Sequence, residues 1–220
     1  MIPGDHGHPE SPSKDCPLCP RLGDFLQKHR ALEPEWHNAP VPSFGPAGAP
    51  LLIVGLAPGL RGANRTGRPF TGDYAGDLLY PTLLKFGLAE GEFAASPDDG
   101  LRPSKIRVTN AVRCVPPENK PVGAEVKACR PFLLGEIAGM TGLKAILCLG
   151  GLSHGAVLSA LKLRKADYRF AHGAQHQIAL PDGRAILLAD SYHCSRYNTN
   201  TGRLTEEMFE QVFHALTKHL

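Results

Sequence analysis

The sequence predicts a three-layer α/β/α domain built on a central, mostly parallel four-stranded sheet. Four short runs rich in apolar residues have strand length: Leu51-Leu-Ile-Val54, Lys105-Ile-Arg-Val-Thr109, Lys144-Ala-Ile-Leu-Cys-Leu149 and Arg184-Ala-Ile-Leu-Leu-Ala189. Segments with helical spacing separate them, and strands that alternate with helices pair in parallel with both faces covered. The hydrophobic fraction is 42%, enough for a sizeable core, and 220 residues suit a single α/β unit.

Each element follows in order. Residues 1–14 are rich in Gly, Pro, Ser and His and read as a flexible tail, leaving 15–220 as the single domain. His6 and His8 belong to that tail, where solvation outweighs metal binding. Arg21 to Leu32 has helical spacing, and residues 39–50 form a Pro/Gly connector. Leu51–Val54, bounded by Pro50 and Gly55, fits a buried strand. A Gly-rich loop runs from Gly55 to Gly76. A helix is expected over Asp77–Leu88, with Pro81 in its first turn. Residues 92–103 are loop. Val122 to Met140 fits a helix kinked or broken at Pro131. Gly150-Gly151 ends the third strand, and Ser153 is the expected N-cap of a helix reaching Leu161. Thr205 to Leu220 is an amphipathic helix with Glu206 and Glu207 in its first turn.

Charge and hydropathy narrow the setting. The net charge of +3 neither demands nor excludes nucleic acid. No apolar run approaches the ~20 residues of a membrane span, so no membrane partner is expected. The N-terminus lacks the basic start and apolar stretch of a secretory signal. A cytoplasmic location with reduced cysteines follows, which favours metal ligation over disulfides.

Four cysteines fall as two separated pairs. Cys16-Pro-Leu-Cys19 is a C-x2-C near the N-terminus, and Cys114 with Cys129 is a C-x14-C in the middle of the chain. They meet only if the fold ties the N-terminal segment onto its body. Four thiolates gathered that way bind zinc or an iron–sulfur cluster. The second pair is too wide for a zinc knuckle, which favours iron–sulfur. Cys148 lies in an expected buried strand and reads as core.

In parallel sheets ligands bind beyond the carboxyl ends of the strands. Loops leave those ends after Gly55, after Thr109 and after Ala189. The first, Gly55-Leu-Ala-Pro-Gly59 through Gly67-Arg-Pro-Phe70-Thr-Gly-Asp73, lacks both G-x-G-x-x-G and G-K-[ST], so dinucleotide and P-loop readings fail. Phe70 offers a flat face for a base or a cap on the local core. Asp73 offers a carboxylate or a helix N-cap. In the last loop His193 could donate to a developing oxyanion, beside Arg196, Asn198 and Arg203 with phosphate-contacting character.

Together these motifs resemble the uracil-DNA glycosylase superfamily, and within it the iron–sulfur family 5 (type B) enzymes. The resemblance rests on Gly55-Leu-Ala-Pro-Gly59 with Gly67-Arg-Pro-Phe-Thr-Gly-Asp73, on Thr109-Asn-Ala-Val-Arg-Cys114-Val-Pro-Pro-Glu-Asn119, and on His193-Cys-Ser-Arg-Tyr-Asn198-Thr-Asn-Thr-Gly-Arg-Leu-Thr205. It spans residues 16 to 205. The related family 4 enzymes carry an acid where this chain has Leu56, so family 5 fits better. One departure is Cys194, where the third motif normally has proline.

The resemblance implies excision of uracil, and of other deaminated bases such as hypoxanthine, from DNA by hydrolysis of the N-glycosidic bond, which starts base excision repair. It implies Asp73 and His193 as catalytic residues, and Gly55, Ala57, Phe70, Asn110 and Asn198 around a flipped base. It also implies DNA contacts from Arg61, Arg65, Arg68, Arg113, Arg196, Tyr197 and Arg203. Finally, it implies a [4Fe-4S] cluster on Cys16, Cys19, Cys114 and Cys129, in a monomer. The competing reading is a non-catalytic iron–sulfur nucleic-acid-binding protein of the same fold. A zinc-stabilised nucleotide hydrolase is disfavoured by the missing P-loop.

Overall fold

A computed structural model of the chain describes residues 11–220. His6, His8 and most of the expected tail lie outside the described residues. The elements are α1 (Pro20–Leu32), β1 (Leu51–Gly55), α2 (Ala63–Thr66), α3 (Tyr74–Lys85), β2 (Ala89–Glu90), β3 (Arg102–Pro103), β4 (Ile106–Asn110), α4 (Gly123–Gly139), β5 (Ala145–Leu149), α5 (Gly151–Ala160), β6 (Gln175–Ala179), β7 (Ala185–Ser191), α6 (Arg196–Asn200) and α7 (Glu206–Thr217).

The four predicted runs form four parallel strands. The main sheet adds a fifth, in the order β4-β1-β5-β7-β6, with β6 antiparallel to β7. In β6 only Ile178 is buried, so the segment carries no apolar run to mark it. Its hairpin to β7 turns at Pro181-Asp-Gly183, where Gly183 has φ 87°; that turn chemistry was present in the sequence. The two-residue strands β2 and β3 pair at the ends of the expected 92–103 loop.

Alternation along the buried strands sends side chains to two cores. Leu51, Ile53, Val108 and Leu147 meet Leu79, Tyr80 and Leu83 of α3 and Phe209, Phe213 and Leu216 of α7. Leu52, Val54, Ile146, Cys148 and Leu188 meet Leu133 and Ile137 of α4 and Val157 and Leu158 of α5. Helices on both faces of the sheet make the three layers. A third, small cluster joins Leu22 of α1 to Val112, Cys129 and Phe132.

Two helix starts and one expected break differ from expectation. α3 starts at Tyr74 because Asp73 caps it, accepting from the Ala75 N–H at 3.2 Å. Pro81 therefore lies inside the helix, at a solvent-facing position. α4 runs unbroken through Pro131, which is also exposed. α5 starts at Gly151, so Ser153 sits in its first turn, and its hydroxyl donates to the Gly150 carbonyl at 2.7 Å. The cap of α7 is as expected, with the Thr205 hydroxyl accepting from Met208 N–H.

Two arginines expected at DNA are instead internal. Arg68 donates through Nη1 and Nη2 to both oxygens of Asp99, at 2.8 and 2.7 Å. Its guanidinium also lies over the rings of Phe44, Tyr80 and Phe93. Arg113 is 1% exposed and donates to Ser43 Oγ at 2.6 Å and Glu136 Oε2 at 2.5 Å. A buried guanidinium needs a carboxylate to offset lost hydration, and once paired it has no free charge for phosphate. Sequence cannot distinguish such an arginine from an exposed one.

The hydrogen bonds from Arg68 hold the Asp99 carboxyl well below the usual range. A carboxyl depressed in the folded state stabilises the fold above its unfolded pKa, near 3.9, and the stabilisation is lost as pH falls below that value. Asp99→Asn should therefore cost about 3–5 kcal/mol at pH 7. The loss relative to parent should shrink as pH falls through about 4. Denaturant melts at neutral and acid pH check this; an equal deficit at both contradicts it.

Candidate active site at the strand ends

Parallel register sets the site. Thr109, Val54, Cys148 and Asp190 lie side by side across β4, β1, β5 and β7. The residues one step further, Asn110, Gly55, Leu149 and Ser191, release their loops along one edge. There a cleft of about 520 Å³ opens, lined by Ala57, Phe70, Asp73, Asn110, His193 and Arg196, among others.

Gly55 is the floor. A Cβ there would lie 2.4 Å from Asn110 Oδ1 and 2.6 Å from Phe70 Cζ. The Asn110 amide and the Phe70 ring thus share space that only glycine leaves open. Phe70 joins the apolar core and also lines the cleft. Its φ of 52° is unusual for a bulky residue. The His193 ring lies 6.0 Å from it, tilted by 32°.

Asp73 both caps a helix and lines the cleft. One oxygen caps α3, while the other lies where Cβ atoms on Gly59 or Gly62 would sit, 2.8 and 2.1 Å away respectively. Burial pushes its carboxyl above the usual range, opposed by the Ala75 hydrogen bond. Burial alone lowers the His193 pKa, which favours the neutral ring, with one nitrogen a donor and the other an acceptor.

The loop carrying His193 is braced. Asn198, expected at the base, instead donates from Nδ2 to the His193 carbonyl at 2.8 Å. It is not part of the cleft lining, and this corrects its assignment: the amide is spent on the loop. Cys194, where proline was expected, is fully buried in the core with α7, and burial raises its thiol to about 12. Behind the loop, His154 Nδ1 lies 2.8 Å from Asp190 Oδ1, and its Nε2 lies 2.9 Å from the Tyr168 carbonyl. Cys148, His154 and Asp190 bring potential metal-ligand atoms within 4.8 Å of one another. Both ring nitrogens of His154 are already engaged, which suits a hydrogen-bonded support beneath β7.

Arg61, Arg65, Arg196, Tyr197 and Arg203 are exposed. Arg196 lines the cleft and lies over the Tyr74 ring, and Arg203 lies over Tyr192 at 4.7 Å.

Sequence reasoning missed the loop after β5. Gly150, Gly151, Leu152 and Ser153 line the cleft, and the Gly-Gly pair at a strand end was the available signal. It also missed Asn119, which lines the cleft and accepts from the Leu60 N–H at 3.2 Å. The signal was its place at the end of the Thr109–Asn119 motif.

The four paired cysteines do converge. Cys16, Cys19, Cys114 and Cys129 line a cavity of about 330 Å³ between α1 and α4. Burial, reinforced by the neighbouring sulfurs, raises Cys114 to about 12. Cys129 rises to about 11, where the Arg113 N–H at 3.4 Å pulls the other way. Arg21 on α1 clamps Glu125 on α4 at 2.7 and 2.8 Å.

Fold and site define an α/β domain with an aromatic ring, an amide, an imidazole and a carboxylate in one cleft at its strand ends. The chain belongs to the uracil-DNA glycosylase superfamily, whose family model matches residues 42–217. A Thermus thermophilus protein called Type-5 uracil-DNA glycosylase is 45% identical over 203 residues, covering 90% of each chain. A Mycobacterium bovis protein of the same name is 40% identical over 92% of this chain and 77% of its own. A Pyrobaculum aerophilum protein, again Type-5, is 36% identical over 90% and 86%. A Type-4 protein from that organism is 32% identical.

The lowered pKa of the half-buried His193 has a direct test. Its ring resonances in an NMR titration should move with a midpoint below the ordinary value near 6.5. A midpoint above that value would mean an anionic partner outweighs burial.

Proposed function

We propose that the protein is a DNA glycosylase that hydrolyses the N-glycosidic bond of uracil in DNA, the first step of base excision repair. The observation that carries this is one cleft lined by an aromatic face, an amide, an imidazole and a carboxylate. Family membership and the Type-5 relatives agree with it. The non-catalytic alternative gives Asp73 and His193 no reason to share that cleft.

Each residue has a role set by its chemistry. A base turned out of the duplex stacks on Phe70. The Asn110 amide reads its Watson–Crick edge, having both a donor and an acceptor. As the glycosidic bond breaks, charge develops on the base oxygen, and a neutral His193 donates to it. Asp73 faces the sugar, offsetting its positive charge and orienting the water that adds to C1′. Its raised pKa suits a base, and its cap bond fixes one oxygen so the other is aimed. The cleft also has room for a purine, in keeping with removal of hypoxanthine. Arg61, Arg65, Arg196, Tyr197 and Arg203 supply backbone and groove contacts.

Cys16, Cys19, Cys114 and Cys129 would hold the [4Fe-4S] cluster. Their cavity has room for a multi-atom cluster, and burial raises the thiols of Cys19, Cys114 and Cys129, a donor set that a cationic centre stabilises. When bound, the cluster supplies a cross-link between the N-terminal segment and α4.

Asp73→Asn separates charge from capping, because asparagine caps as well as aspartate. Melting should stay near parent, while single-turnover excision from uracil-containing duplex falls by about 10²–10⁴. His193→Ala should lower the same rate by about 10²–10³. Parent-like excision by Asp73→Asn would leave Asp73 as a cap only.

A further inference from the structure

A second cleft, of about 650 Å³, opens between α4 and α5 beside the first. The two are continuous, since Leu56, Gly151 and Leu152 line both. We propose that this second cleft is a DNA-strand site, holding phosphate and a base of the strand that flanks the excised nucleotide. The inference rests on the glycosylase reading for the identity of the strand.

Its charge is one-signed. Arg130, Lys165 and Arg169 line it, and among the described residues no carboxylate does. The nearby acids are committed elsewhere: Asp167 to Arg164 at 2.6 Å, Glu125 to Arg21 at 2.7 Å, and Asp190 to His154 at 2.8 Å. Arg130 Nε is buried and finds no hydrogen-bond partner among the described residues. A buried donor left so is costly unless a ligand acceptor meets it. Phosphate oxygens are such acceptors, and guanidinium groups match their geometry.

The rest of the wall suits a nucleotide rather than an isolated anion. The Phe170 ring lies 3.4 Å from where a Cβ on Gly151 would be, and Lys165 Nζ lies 3.5 Å from the corresponding point on Gly155. An aromatic ring and an ammonium thus lie close over α5. Tyr168 and Phe170 are half-buried and line the cleft, offering faces on which a base stacks without sequence preference. Leu152 is 73% exposed and forms an apolar shoulder between the two clefts. A strand leaving the first cleft over that shoulder meets the cations directly. An acidic protein segment would use the charges but not the continuity with the first cleft.

The test is the salt dependence of binding to a uracil-containing duplex. Lys165→Gln/Arg169→Gln changes only exposed residues, and a triple variant adds Arg130→Gln. Two lost phosphate contacts should make the log–log slope shallower by about 1.8. Between 50 and 200 mM salt the parent should then lose about tenfold more affinity than the double variant. Trimming the duplex on one side of the uracil should weaken the parent and leave the variant unmoved; trimming the other side should affect both alike. Lys105→Gln/Lys144→Gln removes two charges just before the amino ends of β4 and β5 and should keep the parental slope. A parental slope and parental trimming response in both cleft variants overturns the proposal, as does an equal change in the control. Excision by the parent tests the glycosylase reading and binding tests the cleft, so the two fail separately.

Discussion

The parallel register of β4, β1, β5 and β7 is the constraint on which the site depends. It brings Asn110, Gly55, Leu149 and Ser191 to one edge, and each releases a loop that lines the same cleft. A slip of one residue would turn Asn110 toward a helix layer, because side chains alternate along a strand. Both faces of the sheet are buried, which penalises any slip through two cores at once. Gly55 converts that register into a pocket, since only its missing side chain lets Phe70 and Asn110 approach each other.

Long segments without strand or α-helix, residues 33–50 and 111–122, need fastening that the sheet does not give. Buried ions supply it. Arg113 and Arg107 both donate to Glu136, which also accepts from Ser43, so the connector before β1, the loop after β4 and α4 meet at one carboxylate. Arg68 with Asp99 does the same for the end of the first loop and the stretch before β3. Such pairs add little net stability over apolar packing. Their value here is geometric: they fix loops whose polar backbones could not form a packed core.

Most of the fold was legible because buried parallel strands announce themselves as apolar runs between glycines and prolines. β6 was not, since an edge strand of alternating polar residues has no such run. The Asp73 cap before Tyr74 was one of two readings the sequence offered for that residue, whereas the helix start at Gly151 was missed because Gly150 carries no capping side chain. Phe70, Asp73, Asn110 and His193 were legible as motifs, and they line one cleft. Arg68, Arg113 and Asn198 were misread for a shared reason: each is polar, sits in a motif loop, and spends its hydrogen bonds internally. Sequence records donors and acceptors but not which of them the fold has already used.

The same distinction, between polar groups consumed by the fold and those left facing a cleft, underlies the functional account. Asn110, His193 and one oxygen of Asp73 are the groups left for a base and its sugar. A crystal structure of Asp73→Asn bound to uracil-containing duplex tests this most directly. The account predicts the uracil out of the helix, stacked on Phe70, with its Watson–Crick edge at the Asn110 amide and its oxygen within hydrogen-bond distance of His193. A uracil still stacked in the duplex, or bound away from Phe70 and Asn110, would contradict it.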